Sequence, residues 1–334
     1  MMRLLKHLIA SRITMIKLTD QYKTKEKIDF RDATFGAVAE VMKNDIESVL
    51  LTNDMGALGI DKIAEFAPDR VINVGITEQN MMSTAAGLAI TGRTVFVHGI
   101  ISHIIFRALE QIKLDLCIQK LPVIIIGVGT GLTYGQDGPT HHGLEDIGAI
   151  KCLPNMTILN PSDAHSADHA VKQAYESKSP CYIRMDKALL PHLYDSSNNL
   201  SENIISHGEP KGGSVITSGI TVWSALFAQS LLVKKNIHCN VIDILQIKPL
   251  NYSKLQSLVE HSEWIYIIEE STHNGGFSSD ICYSLRNKSF KFFEIINFKD
   301  QYLLGSAQRE WAWEKYKIDG KSVADDISSL VQNK

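Results

Sequence analysis

From Asp29 to Asp186 the chain repeats one unit, a short apolar run followed by a helical stretch. The runs VLLTND (49–54), RVINVG (70–75), TVFVHG (94–99), PVIIIGVG (122–129), MTILNP (156–161) and PCYIRM (180–185) are rich in Val, Ile and Leu. Residues 77–90, 103–119 and 163–177 between them read as helices. Apolar strands spaced by helices predict a mostly parallel sheet covered on both faces. Residues 195–213, DSSNNLSENIISHGEPKGG, interrupt the rhythm with Ser, Asn, Gly and Pro, which is linker chemistry. The alternation then resumes through SVITSG, NVIDIL, WIYIIEE and FFEIIN, each separated by a helical stretch. The expected fold class is α/β, with two domains built on mostly parallel sheets. Their expected limits are a lead-in at 1–27, a first domain at 28–190, a linker at 191–213 and a second domain at 214–334.

Composition removes several classes of partner. A formal charge of −3 over 334 residues gives no electrostatic reason to expect nucleic acid or an anionic membrane surface. The five cysteines are scattered, with no C-x-x-C pair, so free thiols in a reducing cytoplasm fit better than a zinc site or disulfide framework. The opening MMRLLKHLIASRIT carries Arg3, Lys6, His7 and Arg12 with no acid. Its apolar stretch is too broken for a signal peptide and too short to span a bilayer. An upstream start or a frayed amphipathic lead-in is therefore expected over a targeting presequence. Gly127-Val128-Gly129-Thr130-Gly131 leads into a loop and lacks a third spaced glycine, so it reads as a turn rather than a phosphate cradle.

Three segments carry chemistry. In Val74-Gly75-Ile76-Thr77-Glu78-Gln79-Asn80-Met81 a strand end turns into a helix, with Thr77 as N-cap and Gly92 as its C-terminal stop. That places Glu78 in the first turn, at the positive end of the helix dipole. Tyr134 to Asp146 forms a Gly/Pro-fixed loop presenting Asp137 and the adjacent imidazoles of His141 and His142. Successive residues seldom aim both rings at one ion, so proton handling is favoured over zinc. Arg184 ends a buried-looking strand and is either one half of a structural ion pair or an anion clamp.

In order and spacing, RVINVGITEQNM, YGQDGPTHHGLEDIGAI and LPNMTILNPSDA resemble the thiamine-diphosphate superfamily, specifically the pyrimidine-binding and C-terminal domains of transketolase. The resemblance runs from about Ile28 to the C-terminus. IQKLPVIIIGVG, Lys248-Pro249-Leu250 and Glu269-Glu270 are also similar to deoxyxylulose-phosphate synthases and 2-oxo acid dehydrogenase beta subunits.

The resemblance implies that Glu78 hydrogen-bonds N1′ of the cofactor's aminopyrimidine and stabilises the imino tautomer that receives the thiazolium C2 proton. It implies that His141 contacts the substrate carbonyl and C1 hydroxyl, that Asp137 reads a sugar hydroxyl, and that Arg31 and Arg184 bind the sugar's terminal phosphate. Ile104 and Arg107 fall on the cofactor-facing segment. Where the family has Thr-Phe this chain has His103-Ile104, losing the stacking aromatic. The phosphate-site histidine and serine fall at Gly129-Thr130 and near Leu58, which leaves an expectation of vacated space and a bulkier, nucleotide-linked or modified sugar.

Neither a metal-binding nor a diphosphate-binding motif is found. The implied assembly is an α2β2 split enzyme in which an N-terminal transketolase-like subunit holds Mg²⁺ and the cofactor diphosphate, and the activity is ketol transfer between sugars. The alternatives are a decarboxylating 2-oxo acid enzyme's beta subunit, an acetaldehyde transferase, or a non-catalytic regulatory paralogue.

Overall fold

The computed structural model describes residues 18–209, 211–304 and 308–333. The strands in chain order are β1 (Ile28–Asp29), β2 (Val49–Thr52), β3 (Val71–Asn73), β4 (Val95–Ile100), β5 (Val123–Val128), β6 (Thr157–Leu159) and β7 (Cys181–Met185). They continue with β8 (Leu189–Leu190), β9 (Ile204–His207), β10 (Gly213–Thr217), β11 (Cys239–Ile244), β12 (Gln246–Lys248), β13 (Ile265–Thr272) and β14 (Phe293–Phe298). The first large sheet runs β12-β6-β7-β5-β4-β2-β3 and the second β14-β13-β10-β11-β9. Every pairing in them is parallel except β12 with β6 and β9 with β11. The α/β class expected from the repeated unit is what the chain adopts.

Period-two alternation explains why both faces of the centre of the first sheet are dry. Val95, Val97, Val123 and Ile125 enter one buried cluster. Their neighbours Phe96, Ile124, Ile126 and Val128 enter another, under the Phe30–Asn44 and Ala164–Ser177 helices. The latter helix starts on a capping box, Asp163 with Ser166.

The two sheets share a core. Ile216, Ile242 and Ile267 of the second sheet belong to the same cluster as Val95 and Val97 of the first. The stretch read as linker is more ordered than its composition implies. It contributes β9, and Tyr194 is buried with its hydroxyl donating to Asp243 Oδ2 at 2.6 Å. Strand β12, from the second half of the sequence, closes the edge of the first sheet.

Residues 1–17, where the question of a presequence arose, lie outside the described residues. The rest of the lead-in docks on the second half, with Tyr22 edge-on to Trp223 at 5.2 Å. The helix expected over 103–119 is divided into Ile101–Phe106, Leu109–Gln111 and a π-helical turn at Ile112–Cys117. The break after Arg107 falls beside Glu78. No helix among the described residues is long and apolar enough to cross a membrane.

Candidate active site

Glu78 is the first residue of the Glu78–Ile90 helix, reached from β3 through Gly75 at φ +73°. Thr77 occupies the N-cap position, but its hydroxyl donates to the Val74 carbonyl at 2.9 Å instead of accepting from the helix. The Glu78 side chain is 5 % exposed. Arg107 Nη1 donates to its Oε1 at 2.6 Å and Asn53 Nδ2 to the same oxygen at 3.2 Å. Oε2 accepts no hydrogen bond among the described residues. An open depression of about 520 Å³ is lined here by Ile76, Thr77, Glu78, Gln79, Asn80 and Arg107. Ile104 is fully buried, close against Gly99, where an added Cβ would lie 2.3 Å from Ile104 Cγ2. It packs inside the core rather than presenting a face to solvent.

The loop after β5 carries the second group. Asp137 is exposed at the end of the Gly135–Asp137 turn. His141 is half-buried, edge-on to His103 at 4.9 Å and to Tyr134 at 6.3 Å, with Thr140 Oγ1 2.9 Å from its Nδ1. Ser102 ties loop to helix by donating to the Thr140 carbonyl at 2.8 Å. His142 turns inward, buried, with Nε2 3.3 Å from the Gly135 carbonyl. The adjacent imidazoles therefore diverge. Among the described residues no group of His, Cys, Asp and Glu could hold a metal ion. His103 is made less basic by burial and then by the charges of Arg107 and His141. Glu78 opposes that shift, so His103 feels both the Glu78 and His141 ends of the site.

The two expected phosphate-binding arginines behave differently. Arg31 begins the Phe30–Asn44 helix, where Asp29 caps its backbone N–H and accepts from its Nη2 at 3.1 Å. It stays one-third exposed.

Arg184 is buried. Its Nε and Nη2 donate to Asp146 at 2.7 and 3.0 Å, Nη2 also to the Gly143 carbonyl, and Nη1 to Asn160. Of the two readings left open for this arginine, the geometry is that of the ion pair. The vacated space at Gly129 is also absent. Gly129 has φ +104°, and an added Cβ would meet the Tyr134 ring at 2.5 Å. Tyr134 fills the position, while Leu58 is 70 % exposed.

Behind the loop lies a closed polar layer joining the sheets. Arg309 donates to Asp186 Oδ2 at 2.8 Å, to both oxygens of Glu270 at 2.9 Å and to the Thr130 carbonyl at 2.7 Å. Burial pushes the Asp186 carboxyl up, but Arg309 outweighs it and holds it below the usual range. Glu270 is pushed up by burial despite the same arginine.

Residues 26–192 match the family described as transketolase, pyrimidine binding domain, and residues 212–295 match transketolase, C-terminal domain. One of the subunits of the apulose-4-phosphate transketolase of Phocaeicola vulgatus is 32 % identical over 88 % of this chain and 94 % of its own length. The chain belongs to the transketolase family. A solved split gene transketolase, described as an inactive beta4 tetramer, superposes with a TM-score of 0.80 at 26 % identity, over 91 % of this chain and 99 % of that one. Transketolase-like protein 2 of Homo sapiens is 30 % identical over 81 % of the chain, which covers only 44 % of that protein. Membership in the transketolase family accounts for the fold and implies dependence on thiamine diphosphate.

Three further side chains meet residues of the candidate site. Asn53 and His103 carry no motif of their own. Lys187, three residues past Arg184, is overshadowed by the arginine as a candidate for binding an anion. Its Nζ lies 4.7 Å from the Tyr134 ring centroid, on the side chain that closes Gly129.

Proposed function

We propose that this chain is the pyrimidine-side subunit of a split transketolase, moving a two-carbon ketol unit between sugars. In this reading residues 28–190 form the pyrimidine-binding domain, 191–213 a connecting segment and 214–334 the C-terminal domain. A second, N-terminal transketolase-like subunit supplies most of the contacts to Mg²⁺ and the cofactor diphosphate, in an α2β2 assembly. The observation that carries the reading is Glu78, a nearly buried carboxylate with one oxygen held and the other unclaimed among the described residues, at the edge of an open depression. It fits the ring nitrogen of an aminopyrimidine. The apulose-4-phosphate transketolase relative is itself named as one subunit among others and is matched over 94 % of its length, which supports the split arrangement.

Thiamine diphosphate, when bound, supplies the carbanion chemistry. The protein's own contributions are local. Glu78 shares a proton with the ring nitrogen, Arg107 keeps that carboxylate oriented, and Ile104 stays within the core. His141, with Nδ1 engaged by Thr140, directs Nε2 towards the substrate oxygen, and Asp137 reads a hydroxyl. Arg31, whose charge interacts with Tyr134, and Lys187, over the Tyr134 ring, offer the positive charge for an anionic end of the sugar. With Arg184 internal and Gly129 covered, a simple phosphosugar suits the site better than a bulkier nucleotide-linked one. The relative named for apulose 4-phosphate supports this.

Calorimetry with Mg²⁺ and thiamine diphosphate should find at most weak binding to the lone chain, and stoichiometric binding once an N-terminal transketolase half is added. The reconstituted pair should turn over xylulose 5-phosphate or a branched phosphosugar with a higher kcat/KM than a nucleotide sugar. Tight binding by the lone chain sinks the split reading. A pair that binds cofactor yet moves no ketol unit leaves the paralogue instead.

A further inference from the structure

We propose that Asn53 is a positioning residue for Glu78, fixing which of its two carboxylate oxygens meets the cofactor; the inference rests on the functional reading above. Asn53 follows β2 directly and is 5 % exposed. Its backbone is pinned from the next strand. Asn73 accepts from the Asp54 and Gly75 N–H groups at 3.0 and 2.9 Å, and its amide donates to Asp54 Oδ1 at 3.3 Å. Asp54 sits at φ +62°, a conformation that Asp and Asn tolerate better than most residues. The side-chain amide is confined as well. A Cβ added to Gly99 would lie 2.8 Å from Asn53 Oδ1 and 3.0 Å from its Nδ2, so the missing side chain at 99 is what admits the amide.

The consequence is an asymmetric carboxylate. Asn53 Nδ2 and Arg107 Nη1 both donate to Oε1, from opposite parts of the chain, 25 and 29 residues away. Oε2 is left without a donor among the described residues. One bond from Arg107 alone would let the carboxylate rotate about it; two donors from different elements fix its plane.

Asn53 Oδ1 is buried and has no hydrogen-bond partner among the described residues. Leaving a buried acceptor unpaired costs about 1–3 kcal/mol. The opposite amide orientation would set oxygen against an ionised carboxylate, so the unpaired Oδ1 is the consequence of keeping Nδ2–H on Glu78. If Glu78 takes up a proton on Oε1, a half-turn of the amide offers Oδ1 as acceptor. One side chain can thus hold the carboxyl group in either protonation state, which a Ser or Lys could not do with the same reach.

The test compares Asn53→Ala and the isosteric Asn53→Asp with wild type, each reconstituted with an N-terminal transketolase half, and reads the lone chain in parallel. In the lone chain, side-chain amide NMR should show the Asn53 NH2 protected from solvent exchange and released in Glu78→Ala. In the complex, deuterium exchange at thiazolium C2 should fall about tenfold in Asn53→Ala, the equivalent of one ordinary hydrogen bond. The cofactor Kd should change less than about threefold, because the carboxylate is misaligned rather than lost. Asn53→Asp, which sets a second carboxylate beside Glu78, should fall further and also lower the melting temperature, because two buried carboxylates then face each other. C2 exchange equal to wild type in Asn53→Ala overturns the inference alone. Absence of C2 exchange in the wild-type complex overturns the functional reading, and the inference with it. Parallel losses of Kd and exchange in Asn53→Ala, with a lowered melting temperature, would make Asn53 a fold residue and also overturn it.

Discussion

In the layer between the two sheets, Arg184 and Arg309 direct their guanidinium donors to the buried carboxylates of Asp146, Asp186 and Glu270. At the mouth of the first sheet, Arg107 is about half exposed and holds one oxygen of Glu78. The chemistry of the pairs is the same and the surroundings are not. In the closed layer nearly every donor and acceptor is matched inside the protein, so removing one group strands its partner in low dielectric. At the mouth one carboxylate oxygen and part of the arginine remain available to something that arrives. The comparison teaches that an arginine near a loop of functional residues says little by itself. What decides is whether its partner is saturated.

Arg184→Ala breaks the closed side most directly. Among the described residues Asp146 would keep only the Tyr182 hydroxyl, at 2.6 Å, of its present side-chain donors. Stranding a buried charge of this kind costs about 3–5 kcal/mol. Urea unfolding should record that loss, and any fall in activity should follow the fraction of unfolded protein. A variant with wild-type stability and a raised KM for a phosphosugar would return Arg184 to the substrate and erase the distinction.

Glu78→Gln probes the open side and should invert the pattern. The amide keeps the shape, so unfolding should move by less than about 1 kcal/mol, the range of ordinary substitutions. It cannot share the proton in the same way, so C2 exchange in the reconstituted complex should fall about a hundredfold. Unchanged exchange would remove Glu78 from the chemistry.

These two outcomes mirror what the sequence could and could not reveal. Six of the seven strands of the first sheet were legible, the central ones because Val- and Ile-rich runs such as VIIIGV suit burial on both faces. The place of Glu78 at a helix start was legible because a strand end, a turn and a helix start are all local, while its role came only from the family resemblance. Strand β9 was not, since its partner β11 lies in a different stretch and its own residues sit among Ser and Asn. Nor was β12, three residues of the second half that complete the first sheet. The fate of Arg184 depends on Asp146, 38 residues away, and the filling of Gly129 depends on which way the Tyr134 ring turns. Neither fact has a local signature. Asn53 is the same case, since its importance rests on a contact to Glu78 that no spacing announces.

The smallest effect tests whether the inside of the first sheet is as closed as the polar layer. His98 on β4 is 1 % exposed, with Nδ1 3.0 Å from the Ile126 carbonyl and its ring edge-on to Phe35 at 4.9 Å. Burial, with a further contribution from the charge of Arg31, lowers its pKa to about 4. The sign follows from proton counting. Between pH 4 and the unfolded value near 6.5, the unfolded chain binds a proton that the folded chain refuses, so stability rises with pH there. The contribution is fully present above that window and is lost as the solution is acidified through it. From pH 7 to pH 6 only the onset is sampled, and one such histidine accounts for about 0.7 kcal/mol. His207, lowered to about 4 chiefly by burial, adds a similar loss, so the wild-type slope alone does not isolate His98. His98→Gln retains an N–H donor for the Ile126 carbonyl and cannot titrate. Urea unfolding of this variant at the two pH values should show a pH dependence smaller than wild type by that amount. Equal slopes would mean that His98 takes up its proton in the folded state as readily as in water. The sheet interior would then be open to solvent, and the contrast with the mouth would have to be redrawn around the Arg184 layer alone.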